Sequence, residues 1–192
     1  MAVYNNIKCA FVHIPKTGGQ SITKMLEEAE LGCKHEGNFE LDHLTMSAIL
    51  ERVNLNSYFK FAIVRNPLDR LVSEYHFSKR YRPYLPNTVH YKFAKYVRAV
   101  SKLDINGLPH NMVNHLYKQK NFLYKDNNLL VDYVGRFETL KESIDYVSQK
   151  LNIKLTLPHV NKSCRKCVDF DSKTLELVRN LYKEDYEIFE YN

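Results

Sequence analysis

The fold is decided by the stretch CAFVHIPKTGGQSI, which runs from Cys9 to Ile22 near the start of the chain. Its apolar first half predicts a buried strand over about 8–14, and apolar residues at helical spacing further on predict a helix over about 21–31. The paired glycines between them let backbone N–H groups approach a ligand closely. Because the N-terminal end of a helix also favours negative charge, this passage from strand to turn to helix predicts an anion site.

The side chains of the turn add to this prediction. Lys16 brings a mobile cation, and Thr17 and Ser21 bring hydroxyl donors to the same place. The turn is not a Walker A loop, because that pattern requires its lysine after the last glycine, whereas Lys16 precedes both glycines. An ordinary tight turn with a solvated lysine is the alternative.

A second segment, YFKFAIVRNPLDRLVSEY over 58–75, repeats this arrangement. Its apolar start predicts a strand over 58–64, and a proline suited to the first turn of a helix predicts a helix from 67 to about 79. Arg65 then lies at the carboxyl end of the strand, where open α/β sheets bind their ligands. Ser73 lies on the helix, away from its apolar face. A guanidinium and a hydroxyl together suit a phosphate group.

The segments HIPKTGGQSI and VRNPLDRLVSEY together resemble the two signature loops of sulfotransferases that use 3′-phosphoadenosine 5′-phosphosulfate (PAPS). The likeness is greatest to the carbohydrate branch, which includes the heparan sulfate 2-O- and chondroitin sulfotransferases. Three later segments are similar to further motifs of this family, in the family's order: YVGRFE (133–138), LPHVNKS (157–163) and YKEDYEIFEY (182–191). The resemblance covers most of the chain and is weakest over 78–128. It implies a three-layer α/β/α fold with a central parallel sheet, the P-loop NTPase-like sulfotransferase fold.

In this family the first loop binds the 5′-phosphosulfate of PAPS and the second binds its 3′-phosphate. The resemblance therefore implies that Lys16 stabilises charge on the departing phosphate, a role that suits a flexible point charge. A basic loop near residue 162 is expected to close over the nucleotide, with a solvated loop as the alternative. The predicted cofactor-binding residues are Lys16, Thr17, Gly18, Gly19, Gln20, Ser21, Arg65, Ser73, Lys162, Ser163 and Arg165.

Transfer to a hydroxyl also needs a base within hydrogen-bond reach of the proton that it removes. Histidine suits this role because its unperturbed pKa lies near neutrality. His43 lies between the two loops, in FELDHLT, and matches the catalytic histidine of the heparan sulfate 2-O branch, so it is the predicted base. The alternatives are a helix-capping or surface histidine, with Asp42 or Glu40 as the base. His13 is expected to be a structural residue at the end of its strand.

Length, composition and net charge limit the number of domains and the class of ligand and partner. The 192 residues are enough for one domain with a sizeable core, and a single catalytic domain is predicted over 1–192. A net charge of +6 fits an anionic cofactor or substrate. Because the basic residues are spread along the chain, nucleic-acid binding is not expected. The expected partner is a carbohydrate or other hydroxyl acceptor, and the oligomeric state is left open.

Targeting and cysteine patterns give further expectations. The N-terminus does not resemble a signal peptide and no stretch approaches the length of a membrane span, so the sequence predicts a cytoplasmic protein without membrane contact. Animal members of the family, in contrast, are membrane-anchored Golgi enzymes. The reaction requires no metal, and the lone C-x-x-C at Cys164 and Cys167 lacks the further ligands of a zinc site. A structural pair is expected there, or a disulfide if the compartment is oxidising.

Hydrophobic periodicity predicts the other elements. Helices are predicted over about 45–53, 90–102, 110–119 and 138–151, with a last helix from Ser172 and a third strand over about 130–135. Thr139 and Glu142 have capping-box spacing. Arg70 is expected to be solvated or salt-bridged. Because strands alternate with helices, the pattern predicts a parallel sheet flanked by helices.

These observations predict a sulfotransferase that moves a sulfuryl group from PAPS to a carbohydrate hydroxyl by in-line displacement. One alternative is a protein-tyrosine or small-molecule sulfotransferase, which differs only in its acceptor. Another is a nucleotide kinase of related fold, which would want a Walker lysine beside a magnesium-binding hydroxyl. The last is a nucleotide- or glycan-binding module that has lost catalysis.

Overall fold

The computed structural model describes residues 2–29, 43–81, 91–104, 113–158 and 168–192. The chain divides into two units, the first formed by residues 1–65 and 119–162 and the second by residues 66–118 and 163–192. Every strand of the described residues belongs to the first unit, and the described part of the second unit is helical.

The described strands are β1 (Ala2–Tyr4), β2 (Cys9–Val12), β3 (Phe59–Val64), β4 (Tyr124–Lys125), β5 (Asn128–Leu129) and β6 (Tyr133–Arg136). Four of them form the central sheet, in the order β1-β2-β3-β6, and β4 pairs with β5 in a separate hairpin. β1 runs antiparallel to β2, whereas the pairs β2–β3 and β3–β6 are parallel. The predicted mixed α/β fold, with a central and mostly parallel sheet flanked by helices, is thereby confirmed.

The described helices are α1 (Gly19–Ala29), α2 (Met46–Leu50), α3 (Pro67–Tyr81), α4 (Phe93–Val100), α5 (Lys120–Leu123), α6 (Leu140–Leu151), α7 (Ser172–Leu181) and α8 (Lys183–Ile188). The first unit holds α1, α2, α5 and α6, and the second unit holds the others. Most predicted helices are present within a few residues of their expected bounds. The short helix α5 was not predicted.

Each unit has its own hydrophobic core. In the first unit, α1 and α6 pack against the sheet, and the buried residues are Tyr4, Cys9, Phe11, Ile22, Met25, Leu26, Phe61, Ile63, Ile144 and Val147. In the second unit the buried residues come mainly from the four helices: Leu71, Tyr75, Phe93, Tyr96, Val97, Val100, Leu116, Val178 and Tyr182. The helices α1, α4, α6 and α7 therefore bury apolar residues that recur at helical spacing.

The predicted helix over 110–119 is wrong in its described part. Val113 is helical, a turn follows it, and residues 110–112 lie outside the described residues. The carbonyl groups of His115 and Tyr117 are turned towards Arg70, whose guanidinium donates hydrogen bonds to them at 3.0 and 2.8 Å. Charge-assisted bonds of this kind are stronger than those between neutral groups, so they favour the turn over a continuing helix.

The capping box predicted at Thr139 is also wrong. Thr139 precedes α6 but makes no side-chain capping bond, since its φ of −118° and ψ of 44° lie outside the extended region that an N-cap side chain requires. Asp171 shows the expected arrangement at α7. Its backbone is extended, and its carboxylate accepts a hydrogen bond from the backbone N–H of Thr174 at 2.8 Å.

Candidate functional site

The turn after β2 has the unusual backbone that its glycines suggest. Gly18 has a φ of +84°, and Lys16 has a φ of +70°, which is rare for a residue with a side chain. Thr17 is buried, and its hydroxyl donates a hydrogen bond to the carbonyl of Ile14 at 2.9 Å. The turn is thus closed by its own threonine, and α1 begins directly after it at Gly19.

Both glycines of the turn lie against aromatic rings. A Cβ at Gly18 would lie 3.0 Å from the ring of Phe137, and a Cβ at Gly19 would overlap the ring of His13. The left-handed φ of Gly18 would strain any other residue. Only glycines fit here, and they keep the backbone of the turn uncovered by side chains of its own.

Arg65 connects the second signature segment to this turn. It directly follows β3, and its guanidinium donates a hydrogen bond to the carbonyl of Lys16 at 3.3 Å. The same guanidinium lies 4.4 Å from the centre of the Phe137 ring, a cation–π distance. The first unit therefore brings together Lys16 and Arg65, which the sequence analysis assigned to the two anionic ends of one ligand, and adds Phe137 from the YVGRFE segment.

Gln119 contacts Arg65 through the backbone, and the sequence analysis missed it. Its side-chain oxygen accepts a hydrogen bond from the Arg65 N–H at 2.9 Å, and its side-chain nitrogen donates one to the Arg65 carbonyl at 2.8 Å. Gln119 has 0% relative exposure. Because it stands between two lysines in a polar run, its sequence context predicts a surface residue, and no pattern marks it as buried.

His43 lies beside His13, the residue that directly follows β2. Its Nδ1 donates a hydrogen bond to the His13 carbonyl at 2.9 Å, and the centres of the two rings are 4.6 Å apart. Since a carbonyl oxygen only accepts, the bond assigns the proton of a neutral His43 ring to Nδ1 and the lone pair to Nε2. A ring held in this tautomer can accept a proton at Nε2. The predicted structural role of His13 agrees with its place between the rings of His43 and Phe11.

For the other predicted site residues the structure gives at most a position and a degree of burial. Gln20 is exposed and Ser21 half-buried in the first turn of α1, and Ser73 is half-buried on α3 of the second unit. Glu40, Asp42, Lys162, Ser163, Cys164, Arg165 and Cys167 lie outside the described residues. The predicted roles of all these residues stay predictions.

The second unit buries a group of polar side chains that the sequence analysis did not foresee. Arg70 is only 2% exposed, so the expectation of a solvated arginine is wrong. Glu74 is 0% exposed, and its carboxylate accepts a hydrogen bond from Nδ1 of His115 at 2.6 Å. Burial raises the pKa of Tyr182, whose hydroxyl donates to the carbonyl of Leu116 at 3.1 Å. These bonds connect α3 and Tyr182 to the turn over residues 115–117.

The described ranges lack two features, a membrane-spanning helix and a metal-binding cluster. No helix there is long and apolar enough to cross a membrane. No group of three or more histidine, cysteine or acidic side chains there could hold a metal ion. Cys9 is buried on β2.

Comparison with known proteins gives one match. A family model described as "Sulfotransferase family" matches residues 2–192. Neither the curated proteins nor the solved structures gave a match. The matched range includes the turn after β2, Arg65, His43 and Gln119.

Proposed function

We propose that this chain, which belongs to the sulfotransferase family and is therefore a transferase of sulfuryl groups, uses PAPS as its donor and a carbohydrate hydroxyl as its acceptor. The observation that carries the donor proposal is the hydrogen bond from Arg65 to the carbonyl of Lys16. It joins the two segments that resemble the phosphosulfate and 3′-phosphate loops of PAPS-dependent enzymes. A single family model spans both units, which supports one catalytic domain over 1–192.

The residues around the turn fit such a donor. PAPS carries an activated sulfuryl group on its 5′-phosphate and a separate 3′-phosphate, so it presents two anionic ends. The glycine backbone of the turn and the start of α1 suit the first end, because N–H groups at a helix N-terminus attract anions. Arg65 suits the second end, since a guanidinium matches the oxygens of a phosphate in a fork.

The side chains of the site divide the chemistry between them. Lys16 stabilises the negative charge that grows on the bridging oxygen as its bond to sulfur breaks. Nε2 of His43 accepts the proton of the acceptor hydroxyl while that oxygen forms its bond to sulfur. The bond from Nδ1 to the His13 carbonyl keeps the ring in the tautomer that this step requires and stabilises the positive charge that the ring then gains.

The acceptor proposal rests on the resemblance to the heparan sulfate 2-O and chondroitin branch. A protein tyrosine or a small phenol would use the same donor site and the same base. The acceptors are therefore separated by assay, with PAPS as donor and desulfated heparan, chondroitin, a tyrosine peptide and a simple phenol compared under the same conditions. Transfer to either polysaccharide alone supports the proposal, whereas transfer only to the peptide or the phenol overturns it.

Titration calorimetry of the purified chain with 3′-phosphoadenosine 5′-phosphate (PAP), AMP and ATP tests the donor site. We expect PAP to bind about tenfold or more tightly than AMP, because only PAP offers the 3′-phosphate to Arg65. Equal binding of AMP, or preferential binding of ATP, would reject PAPS as the donor. Binding of PAP without turnover on any acceptor would favour a module that has lost catalysis.

A further inference from the structure

One buried polar side chain at this site has no place in the mechanism above. The side-chain amide of Gln119 bonds both backbone groups of Arg65, the N–H at 2.9 Å and the carbonyl at 2.8 Å. Gln119 is fully buried. In a sheet, the backbone of a residue on a neighbouring strand would make this pair of bonds. Here a side-chain amide makes both.

The sheet explains why Arg65 needs such a partner. The pairing of β2 with β3 ends at Val12 and Ala62, because the chain after β2 leaves the sheet to form the turn. On the other side, the carbonyl of Val64 accepts a hydrogen bond from the N–H of Phe137 at 2.8 Å. Arg65 thus lies past the last β2 pair and next to the buried side chain of Gln119. Buried backbone groups need partners, and Gln119 supplies both.

Gln119 could have served its own helix instead. It is the N-cap residue of α5, yet its side chain makes no capping bond there. The amide is directed to Arg65, 54 positions away in the sequence. Because the backbone of Arg65 is held, its guanidinium reaches the carbonyl of Lys16 at 3.3 Å and the ring of Phe137 at 4.4 Å.

We propose that Gln119 is a positioning residue, which holds Arg65 so that the site prefers nucleotides with a 3′-phosphate over those without one. The inference rests on the proposed function, since it takes Arg65 as the ligand of the 3′-phosphate. Gln119 itself does not touch the donor in this scheme. It acts through Arg65, so its loss affects the recognition of one phosphate rather than the whole nucleotide.

The test measures the dissociation constant for AMP divided by the dissociation constant for PAP in Gln119→Leu. This variant removes both bonds while keeping a side chain of similar size. We expect the ratio to fall by about tenfold, through weaker PAP binding, with AMP binding little changed. The KM for PAPS should rise with little change in kcat, because the bond-breaking step does not involve Gln119. Gln149→Leu, the same change at an exposed position of α6, is the control and should leave the ratio unchanged.

A double-mutant cycle with Arg65→Ala separates positioning from simple loss of structure. If Gln119 acts through Arg65, adding Gln119→Leu to Arg65→Ala should lower the ratio no further. An unchanged ratio in Gln119→Leu alone, or additive losses in the double variant, would overturn the inference. Should Gln119→Leu not fold, Gln119→Glu keeps the acceptor, loses the donor and carries the same expectation. If the unmodified chain itself does not prefer PAP to AMP, the proposed function fails, which is a different result.

Discussion

The two units of this chain use their polar residues in opposite ways. In the first unit Lys16, in the turn after β2, and His43, beside His13, are half-buried. The carbonyl of Lys16 accepts a hydrogen bond from Arg65, and the carbonyl of His13 accepts one from His43. In the second unit Arg70 and Glu74 are buried among helices. A half-buried cation or imidazole can still reach a ligand, whereas fully buried charged side chains are closed to it. Loss of a polar group should therefore lower activity in the first unit and stability in the second.

Removal of Lys16 should have the largest effect. Lys16→Met retains a long side chain but has no charge to offer the departing phosphate, so we expect kcat to fall on the order of a thousandfold. Thermal stability should change little, because Lys and Met are both unbranched at Cβ and carry a similar cost at this φ of +70°. Lys24→Met, at an exposed position of α1, is the matched control in initial-rate assays with PAPS. Unchanged kinetics in Lys16→Met would reject the assignment of the turn.

The next effect should appear in the second unit, as a loss of stability. Glu74→Leu leaves Nδ1 of His115 without its carboxylate acceptor inside the core, and an unsatisfied buried donor costs about 2 kcal/mol of unfolding free energy. Urea unfolding followed by circular dichroism measures the change. Glu176→Leu, at an exposed position of α7, is the control, with an expected change within about 0.5 kcal/mol. Equal stability of the two variants would show that the buried pair contributes nothing.

His43→Asn tests the base with a smaller expected loss. Asparagine tolerates the left-handed backbone found at this position, where φ is +64°, so the change removes the imidazole with little added strain. We expect kcat to fall about a hundredfold and PAP affinity to stay nearly constant, because the ring accepts a proton but does not bind the donor. His76→Asn on α3 is the control. If turnover survives in His43→Asn, the base lies elsewhere, and Asp42 and Glu40 become the candidates.

The smallest effect concerns the pH dependence of stability. The hydrogen bonds from the Thr174 hydroxyl and backbone N–H lower the pKa of Asp171. A carboxyl whose pKa is lower in the folded chain stabilises it above the ordinary pKa, and this contribution is lost as the pH falls through the lowered value. Asp171→Asn keeps a capping oxygen but cannot titrate. Its urea midpoint should therefore fall less than that of the unmodified chain between about pH 5 and pH 2. Parallel curves would contradict this.

The fold and the candidate site of the first unit could be predicted because short segments of the sequence carry the pattern for both. The run before Lys16 and the run before Arg65 each combine a buried strand, a turn and a helix start, so a local pattern carries both the fold and the expected site. Strand β1 was missed because three residues at a sheet edge give too short a period to detect.

Other features depend on contacts between distant positions, which no local pattern contains. Gln119 is buried only because Arg65 has lost its strand partner, and Arg70 is buried only because the carbonyl groups of residues 115 and 117 face it. The wrong helix over 110–119 has the same origin. Thr139 had the right spacing for a cap, but its φ of −118° and ψ of 44° do not let its side chain reach the helix.

Gly19 has a consequence for how this sequence can change over time. Its missing side chain is the space into which the His13 ring fits, and the carbonyl of His13 in turn holds the ring of His43. A larger residue at position 19 would push the ring of His13 aside and, through it, disturb the ring at 43. A substitution at one of positions 13, 19 and 43 should therefore require a change at the others. Among homologous sequences they should vary together or not at all.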